Sequence, residues 1–186
     1  MATGLARKLW TIEEYELMIE RGILNEDERL ELIRGEVVEM TPIGMRHAGC
    51  VTRIQRIFDR LPEDLATAWV QNPVLLPDDS MPQPDVTLLR GPVDPYTRRR
   101  PTTEDVILAV EVSDSSLRGD RSIKMPLYAA AGIPEAWIVN LEDDVIEVYS
   151  EPVDGVYQKM WVAGKGSTVP LPSGLPGAVS VDEVLG

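Results

Sequence analysis

The chain has 186 residues, and its 18 lysines and arginines against 31 aspartates and glutamates give a formal net charge of −13. Its length predicts one domain over residues 1–186, and 44% apolar with 26% charged residues is typical of a globular protein. One cysteine and one histidine exclude an internal disulfide, a cysteine-based zinc site and a multi-histidine metal centre. We expect a cytoplasmic protein, because a lone cysteine suits a reducing compartment and no segment approaches the ~18 apolar residues of a membrane span.

Hydrophobic periodicity and turn residues divide the chain into helices and strands. Thr11 and Glu14 form a capping box, and Asp120 is the predicted N-cap of a later helix. Strands joined both by tight turns and by a helical crossover indicate an α/β domain, with a mixed central sheet flanked by helices. The predicted elements are a helix from Thr11 to about Glu20, a hairpin over 29–40, a helix over 46–61, a strand or strand pair over 66–76, strands over 85–89 and 106–112, a helix over 120–131, strands over 135–141, 145–149 and 157–162, and a final helix capped by Ser180.

Two carboxylates on predicted strands are the first candidates for chemistry. Asp85 follows Pro84 and opens an apolar strand, although an aspartate after proline is more often a turn residue. Glu111 lies near the end of an almost wholly apolar strand, where a carboxylate is costly to bury unless it is paired or binds a cation. A structural ion pair or a solvent-facing side chain is an equally reasonable interpretation of Glu111.

Two further ionisable residues become candidates for chemistry only when they are considered together with their neighbours. Lys124 follows Asp120 by one helical turn, and a lysine on a helix is usually solvated. Glu31 alternates with two leucines in the predicted hairpin, and by itself a solvated hairpin face is the better interpretation of it. Taken together, carboxylates on neighbouring strands and a nearby ammonium group would suit Mg²⁺ or Mn²⁺ and the hydrolysis of a phosphate ester.

The order of these residues resembles a known family. The series Pro84-Asp85, then Val110-Glu111-Val112-Ser113, then Asp120-x-x-x-Lys124-x-x-x-Tyr128 is similar to that of the Uma-type family, described as putative restriction endonucleases of the PD-(D/E)XK superfamily. The hairpin sequence and His47 also resemble that family, and the resemblance covers about residues 10–150. It implies a restriction-endonuclease-like core over that range, followed by C-terminal strands and a short helix in residues 151–186.

The resemblance also implies roles for individual residues. Glu31, Asp85, Glu111 and the backbone carbonyl of Val112 would bind Mg²⁺ or Mn²⁺, and Asp85, Glu111 and Lys124 would be catalytic. A literal E-x-K motif would place the lysine at position 113, where this chain has Ser113. The Uma-type relatives also lack a lysine there and supply it from the next helix, so the resemblance implies Lys124 as the candidate. Pro126 predicts some distortion of that helix.

Several basic residues are candidates to contact phosphate. His47 is the only imidazole, and its simpler interpretation is a polar residue at the start of a helix. Arg98, Arg99 and Arg100 form the densest positive charge in the chain, although a solvated loop explains them as well. Arg121 lies beside the predicted Lys124 turn.

The main hypothesis is a divalent-metal-dependent endonuclease that hydrolyses DNA phosphodiester bonds, acting as a homodimer. A catalytically weak or inactive nuclease-fold module that binds or regulates is the first alternative, motivated by the net charge of −13 and by Ser113. A hydrolase of another phosphate ester is the second alternative. Metal binding and cleavage of DNA distinguish these three functions.

Overall fold

A computed structural model describes residues 6–25 and 28–186. The predicted α/β architecture is confirmed, and these described residues include ten strands and five α-helices. The elements are α1 (Ile12–Glu20), β1 (Leu30–Ile33), β2 (Glu36–Glu39), α2 (Met45–Phe58), β3 (Ala66–Val70), β4 (Val86–Arg90), β5 (Val106–Ser113), α3 (Leu117–Gly119), a π-helical turn (Asp120–Lys124), α4 (Met125–Ala130), β6 (Glu135–Asn140), β7 (Val145–Val153), β8 (Val156–Gly164), β9 (Thr168–Pro170), β10 (Ala178–Ser180) and α5 (Val181–Leu185).

Six strands form the central sheet, in the order β3-β4-β5-β6-β7-β8. Every neighbouring pair is antiparallel except β5 and β6, which are parallel. The helical segment between β5 and β6 makes the crossover that a parallel pair needs. The predicted mixed sheet is therefore correct, and β5 and β6 are its innermost strands.

Apolar side chains cover both faces of this sheet. On one face, Ile54 and Phe58 of α2 pack with Val110 and Trp137 in the larger core cluster. On the other face, Leu127 and Tyr128 of α4 pack with Ile138. All eight residues of β5 are buried, which explains why its sequence is apolar almost throughout.

The N-terminal hairpin forms a separate two-stranded sheet. Its turn consists of Arg34 and Gly35, with φ angles of 51° and 75°, as the sequence predicts for a tight hairpin. A Cβ on Gly35 would lie 2.8 Å from the Cβ of Leu9, so glycine is also required by close packing. The backbone amide of Met81 donates to the carbonyl of Leu32 at 2.7 Å, which joins the hairpin to the loop that precedes β4.

The helix predicted over residues 120–131 begins earlier than predicted. Helical backbone begins at Leu117, and Asp120 lies within the segment rather than capping it. Its carboxylate accepts hydrogen bonds from the hydroxyls of Ser113 and Ser116, both at 2.6 Å, so it is unavailable for capping. A π-helical turn precedes Pro126, which fits the predicted distortion because proline cannot donate a backbone hydrogen bond.

Other differences concern the lengths of elements. Only Ala66–Val70 of the segment 66–76 is a strand, because the chain turns away before Pro73. The hairpin β7–β8 extends further than predicted, since Asp154 and Gly155 form its turn with positive φ angles. The capping boundaries at Thr11 and Ser180 are confirmed. None of the helices in the described ranges is long and apolar enough to cross a bilayer.

Candidate active site

The register of the central sheet brings Asp85 beside Glu111. Val86 of β4 pairs with Val110 of β5, and the two strands are antiparallel. Asp85, which precedes Val86, therefore lies opposite Glu111, which follows Val110. The backbone amide of Val112 donates to Oδ2 of Asp85 at 2.8 Å, which holds the carboxylate at the end of β5. Both carboxylates are buried, with exposed fractions of 6% and 5%.

Glu31 reaches the same place from the N-terminal hairpin. It is 4% exposed, so the solvated hairpin face considered from the sequence is wrong. The backbone amide of Gln83 donates to its Oε1 at 2.6 Å because the loop before β4 packs against β1. A carboxylate in this position needs a cationic partner in a low-dielectric surrounding.

Lys124 supplies that cation. Its ammonium group donates to Oε1 of Glu31 and lies 3.6 Å from Oε1 of Glu111. Burial alone would lower the pKa of Lys124, but Glu111 and Glu31 outweigh burial and raise it above its ordinary value. The amine is therefore charged at neutral pH, and it joins the hairpin to the central sheet.

Glu111 has a different electrostatic environment from its partners. Burial raises the pKa of Glu111 well above its usual range, and Lys124 opposes this only in part. The buried hydroxyl of Tyr128 donates to Oε1 of Glu111. Burial and the nearby Glu111 raise the pKa of Tyr128, so its hydroxyl keeps the proton that it donates.

Asp120 adds a fourth carboxylate to the group. It is 8% exposed, and burial raises its pKa despite the hydrogen bonds from Ser113 and Ser116. The sequence interpretation missed Asp120 and Tyr128 as site residues. Their spacing of four from Lys124 could have identified them, since residues four apart share one face of a helix.

His47 contacts the carboxylate of Asp85, and its predicted contact with phosphate stays a prediction. Its Nε2 lies 3.0 Å from Oδ2 of Asp85, and its side chain is 13% exposed. Its Nδ1 is buried, with no hydrogen-bond partner among the described residues. His47 thus lies beside Asp85, at the start of α2.

The other predicted phosphate contacts lie away from this group. Arg99 pairs with Asp105, and Arg100 with Glu16. Arg121 binds Glu147 through two guanidinium nitrogens, one of them 3.0 Å from its oxygen. Arg98 is exposed, and none of these four arginines is among the described residues that line the cavity.

A cavity of about 900 Å³ opens onto the carboxylates. The β1–β2 hairpin forms one side of it, and the loop before α2 and the segment 114–124 form the others. Its described lining includes Glu31, Asp85, Glu111, Val112 and Lys124, together with Asp120 and His47. The structure therefore brings the predicted catalytic and metal-ligand residues to one place.

The donor types at this place fit a hard divalent cation. Mg²⁺ often takes one or two protein carboxylates and completes its shell with water and phosphate. Asp85, Glu111 and the Val112 carbonyl have the oxygen donors for such a site. Within residues 6–25 and 28–186, no group of three or more histidine, cysteine, aspartate or glutamate side chains is arranged to hold a metal. Glu31 is instead paired with Lys124 in this structure.

A family model matches residues 12–182, under the name Uma2 and the description "Putative restriction endonuclease". The chain belongs to this family. The membership confirms the resemblance found in the sequence, because the matched range contains all the residues of the candidate site. A comparison with curated proteins found no match.

One solved structure resembles the whole domain. It is described as a putative nuclease belonging to DUF820, from Anabaena variabilis, and it superposes with a TM-score of 0.71 at 16% sequence identity. The match covers 94% of this chain and 97% of the other. The similarity shows that the two proteins share a fold, the restriction-endonuclease-like core expected from the sequence.

Proposed function

We propose that this protein is a divalent-metal-dependent endonuclease that hydrolyses DNA phosphodiester bonds. The single observation that carries the proposal is the convergence of Asp85, Glu111 and Lys124 on one cavity in a chain of the Uma2 family. Carboxylates and an amine at one site are what metal-assisted phosphoryl hydrolysis requires.

Asp85, Glu111 and the carbonyl of Val112 are the proposed ligands of Mg²⁺ or Mn²⁺. Glu31 is a third candidate carboxylate, because its Oε2 accepts no hydrogen bond from a described residue. When bound, such an ion would neutralise charge on the phosphate and lower the pKa of water.

The protein's own groups orient this site. His47 and the Val112 amide hold one oxygen of Asp85, and Tyr128 holds one oxygen of Glu111. The ammonium group of Lys124 is a fixed positive charge at the cavity, positioned to stabilise negative charge on a phosphate oxygen. Fixed donors of this kind need no reorganisation during the reaction, which is how they lower its barrier.

The test uses labelled DNA, both single-stranded and duplex, with Mg²⁺ or Mn²⁺ and a chelator control. We expect metal-dependent cleavage that is lost in Asp85→Ala and reduced at least about 10²-fold in Lys124→Ala. Lys165→Ala is the matched lysine control, since that side chain is exposed and pairs with Asp144 outside the cavity. Cleavage that persists unchanged in Asp85→Ala would contradict the proposal.

A binding or regulatory module without catalysis is the competing function. The ion pair between Lys124 and Glu31 favours it, since this pair already neutralises part of the carboxylate group. Calorimetric titration with Mn²⁺ separates the two functions. Binding that is lost in Asp85→Ala supports the nuclease, and no binding at neutral pH supports the module.

We also propose that the protein acts as a homodimer. Strand β8 is an edge of the central sheet, and it contains no acidic residue in a strongly acidic chain. Val156 and Val162 on this strand are 60% and 51% exposed. An antiparallel edge can pair with its own copy across a two-fold axis. Light scattering of the wild type and of Val162→Lys tests this: a dimer that the substitution dissociates is expected, and a monomeric wild type contradicts it.

A further inference from the structure

The cavity over the carboxylates is lined by both charged and apolar side chains. Its volume of about 900 Å³ is that of a pocket for a small molecule or a single nucleotide. The hairpin side contributes Ile33 and Val38, and Ile123 and Leu9 lie at its margins. This apolar surface lies within the same cavity as the carboxylates that would receive a phosphate.

Two of the apolar side chains at the cavity remain half exposed. Leu9 and Ile123 are 52% and 49% exposed, and both line the cavity. Large aliphatic side chains that remain exposed beside a pocket are typical of a ligand-binding surface. A planar nucleobase has the apolar faces that such side chains can cover.

The charge of the cavity favours the nucleic acid of lower charge density. Its described lining includes seven carboxylates but only three cationic side chains, Arg29, Arg34 and Lys124. Duplex DNA carries one negative charge for about every 1.7 Å of its axis, twice the density of a single strand. Three of the four arginines that were predicted to contact phosphate are paired with carboxylates outside the cavity, namely Arg99, Arg100 and Arg121.

We propose that the substrate is unpaired DNA, whose reacting phosphate lies at Asp85 and Glu111 while an adjacent base packs against the apolar side of the cavity. This inference rests on the proposed nuclease function and adds the class of substrate. The pocket admits one extruded or single-stranded nucleotide, and base pairing would have to be broken before a duplex could enter it.

The experiment compares one labelled oligonucleotide as a single strand and annealed to its complement, with Mn²⁺ in both reactions. We expect the single strand to be cut at least about tenfold faster, the factor that corresponds to 1.4 kcal/mol. Duplex cleavage that is as fast or faster overturns the inference and leaves the nuclease function intact. No cleavage of either substrate overturns the nuclease function itself.

A matched pair of variants tests the apolar contact. Ile123→Ala removes a half-exposed side chain at the cavity, and Leu17→Ala removes one of nearly equal exposure, 48%, on α1 outside it. Ile123→Ala should raise KM for the single strand about fivefold with kcat nearly unchanged, because apolar area is lost from the bound state. Equal KM values for the two variants would overturn the packing of a base at this surface.

Discussion

Glu111 and Glu147 are two buried glutamates in one row of the central sheet, and they have opposite electrostatic properties. Glu111 on β5 pairs with Ile138 on β6, which in turn pairs with Glu147 on β7. The two carboxylates therefore point to the same face of the sheet, with exposed fractions of 5% and 1%. Their solvent exposure is nearly equal, but Glu111 lies deeper in the protein, so depth and hydrogen-bond partners both contribute to the difference.

Glu147 has a complete set of donors. Arg121 binds both of its oxygens, and Tyr149 and Asn140 donate at 2.7 and 3.1 Å. Burial alone would raise the pKa of Glu147, but these hydrogen bonds outweigh it and lower the pKa below its ordinary value. A carboxylate satisfied in this way is structural.

Glu111 has fewer donors and faces a cavity. Tyr128 donates to one oxygen, Lys124 is 3.6 Å from that same oxygen, and Oε2 accepts no hydrogen bond from a described residue. Burial raises the pKa of Glu111, so its surroundings disfavour the ionised form of this carboxylate. The comparison teaches that charged hydrogen bonds offset the effect of burial in a structural carboxylate, and that a carboxylate with fewer of them keeps a raised pKa.

The largest effect should come from Glu111→Gln. We expect DNA cleavage to fall about 10²- to 10³-fold, since a group that organises charge at the reacting phosphate is lost. The free energy of unfolding should change by less than about 1 kcal/mol, because a neutral amide replaces a group whose charge is already disfavoured. Cleavage rates and urea unfolding of the same samples check both parts, and wild-type activity would remove Glu111 from the site.

Glu147→Gln is the matched substitution in the structural carboxylate. It should lower the free energy of unfolding by about 2 kcal/mol, because hydrogen bonds to a charged group are lost from Arg121 and Tyr149. Cleavage per folded molecule should stay within about twofold of wild type, the reverse of the Glu111→Gln pattern. If Glu147→Gln loses activity while remaining folded, the assignment of a structural role to Glu147 and a functional role to Glu111 is wrong.

Tyr128→Phe removes the hydroxyl that holds Glu111 and keeps the ring in the core. We expect cleavage to fall about tenfold, as for loss of a group that orients a ligand, and stability to fall by about 1 kcal/mol. Tyr149→Phe removes the equivalent hydroxyl from Glu147 and should affect stability alone. Similar activities of the two variants would contradict a positioning role for Tyr128.

The pH dependence of stability is the smallest expected effect, and it compares Glu147 with Glu111 directly. The pKa of Glu147 is lowered, so its contribution is present above its ordinary value of 4.5 and is lost as pH falls through the folded pKa. The pKa of Glu111 is raised, so its contribution is present below 4.5 and is lost as pH rises through the folded pKa. Urea unfolding at several pH values gives the difference in the free energy of unfolding between wild type and each glutamine variant. This difference should rise with pH for Glu147→Gln and fall with pH for Glu111→Gln. The same direction for both variants would contradict the opposite pKa shifts of the two glutamates.

Much of the fold was predictable from local patterns. The capping box at Thr11, the turn at Gly35 and the apolar run of β5 each depend on neighbouring residues, and the structure confirms them. The start of the third helix was not predictable from Asp120, whose carboxylate binds Ser113 on a strand instead of a helix amide. Distant partners can override a local capping preference because a buried carboxylate must find its donors wherever they lie.

The sequence by itself determined the order of the elements, the family, and the candidacy of Asp85, Glu111 and Lys124. These properties follow from periodicity, turn residues and the spacing of a motif. Tertiary structure alone decided that Glu31 is buried, that its partner is Lys124, that Tyr128 holds Glu111, and that Arg121 belongs to Glu147. Glu31 and Lys124 are 93 residues apart, and contacts across such separations depend on how the hairpin packs against the sheet, which no local pattern encodes.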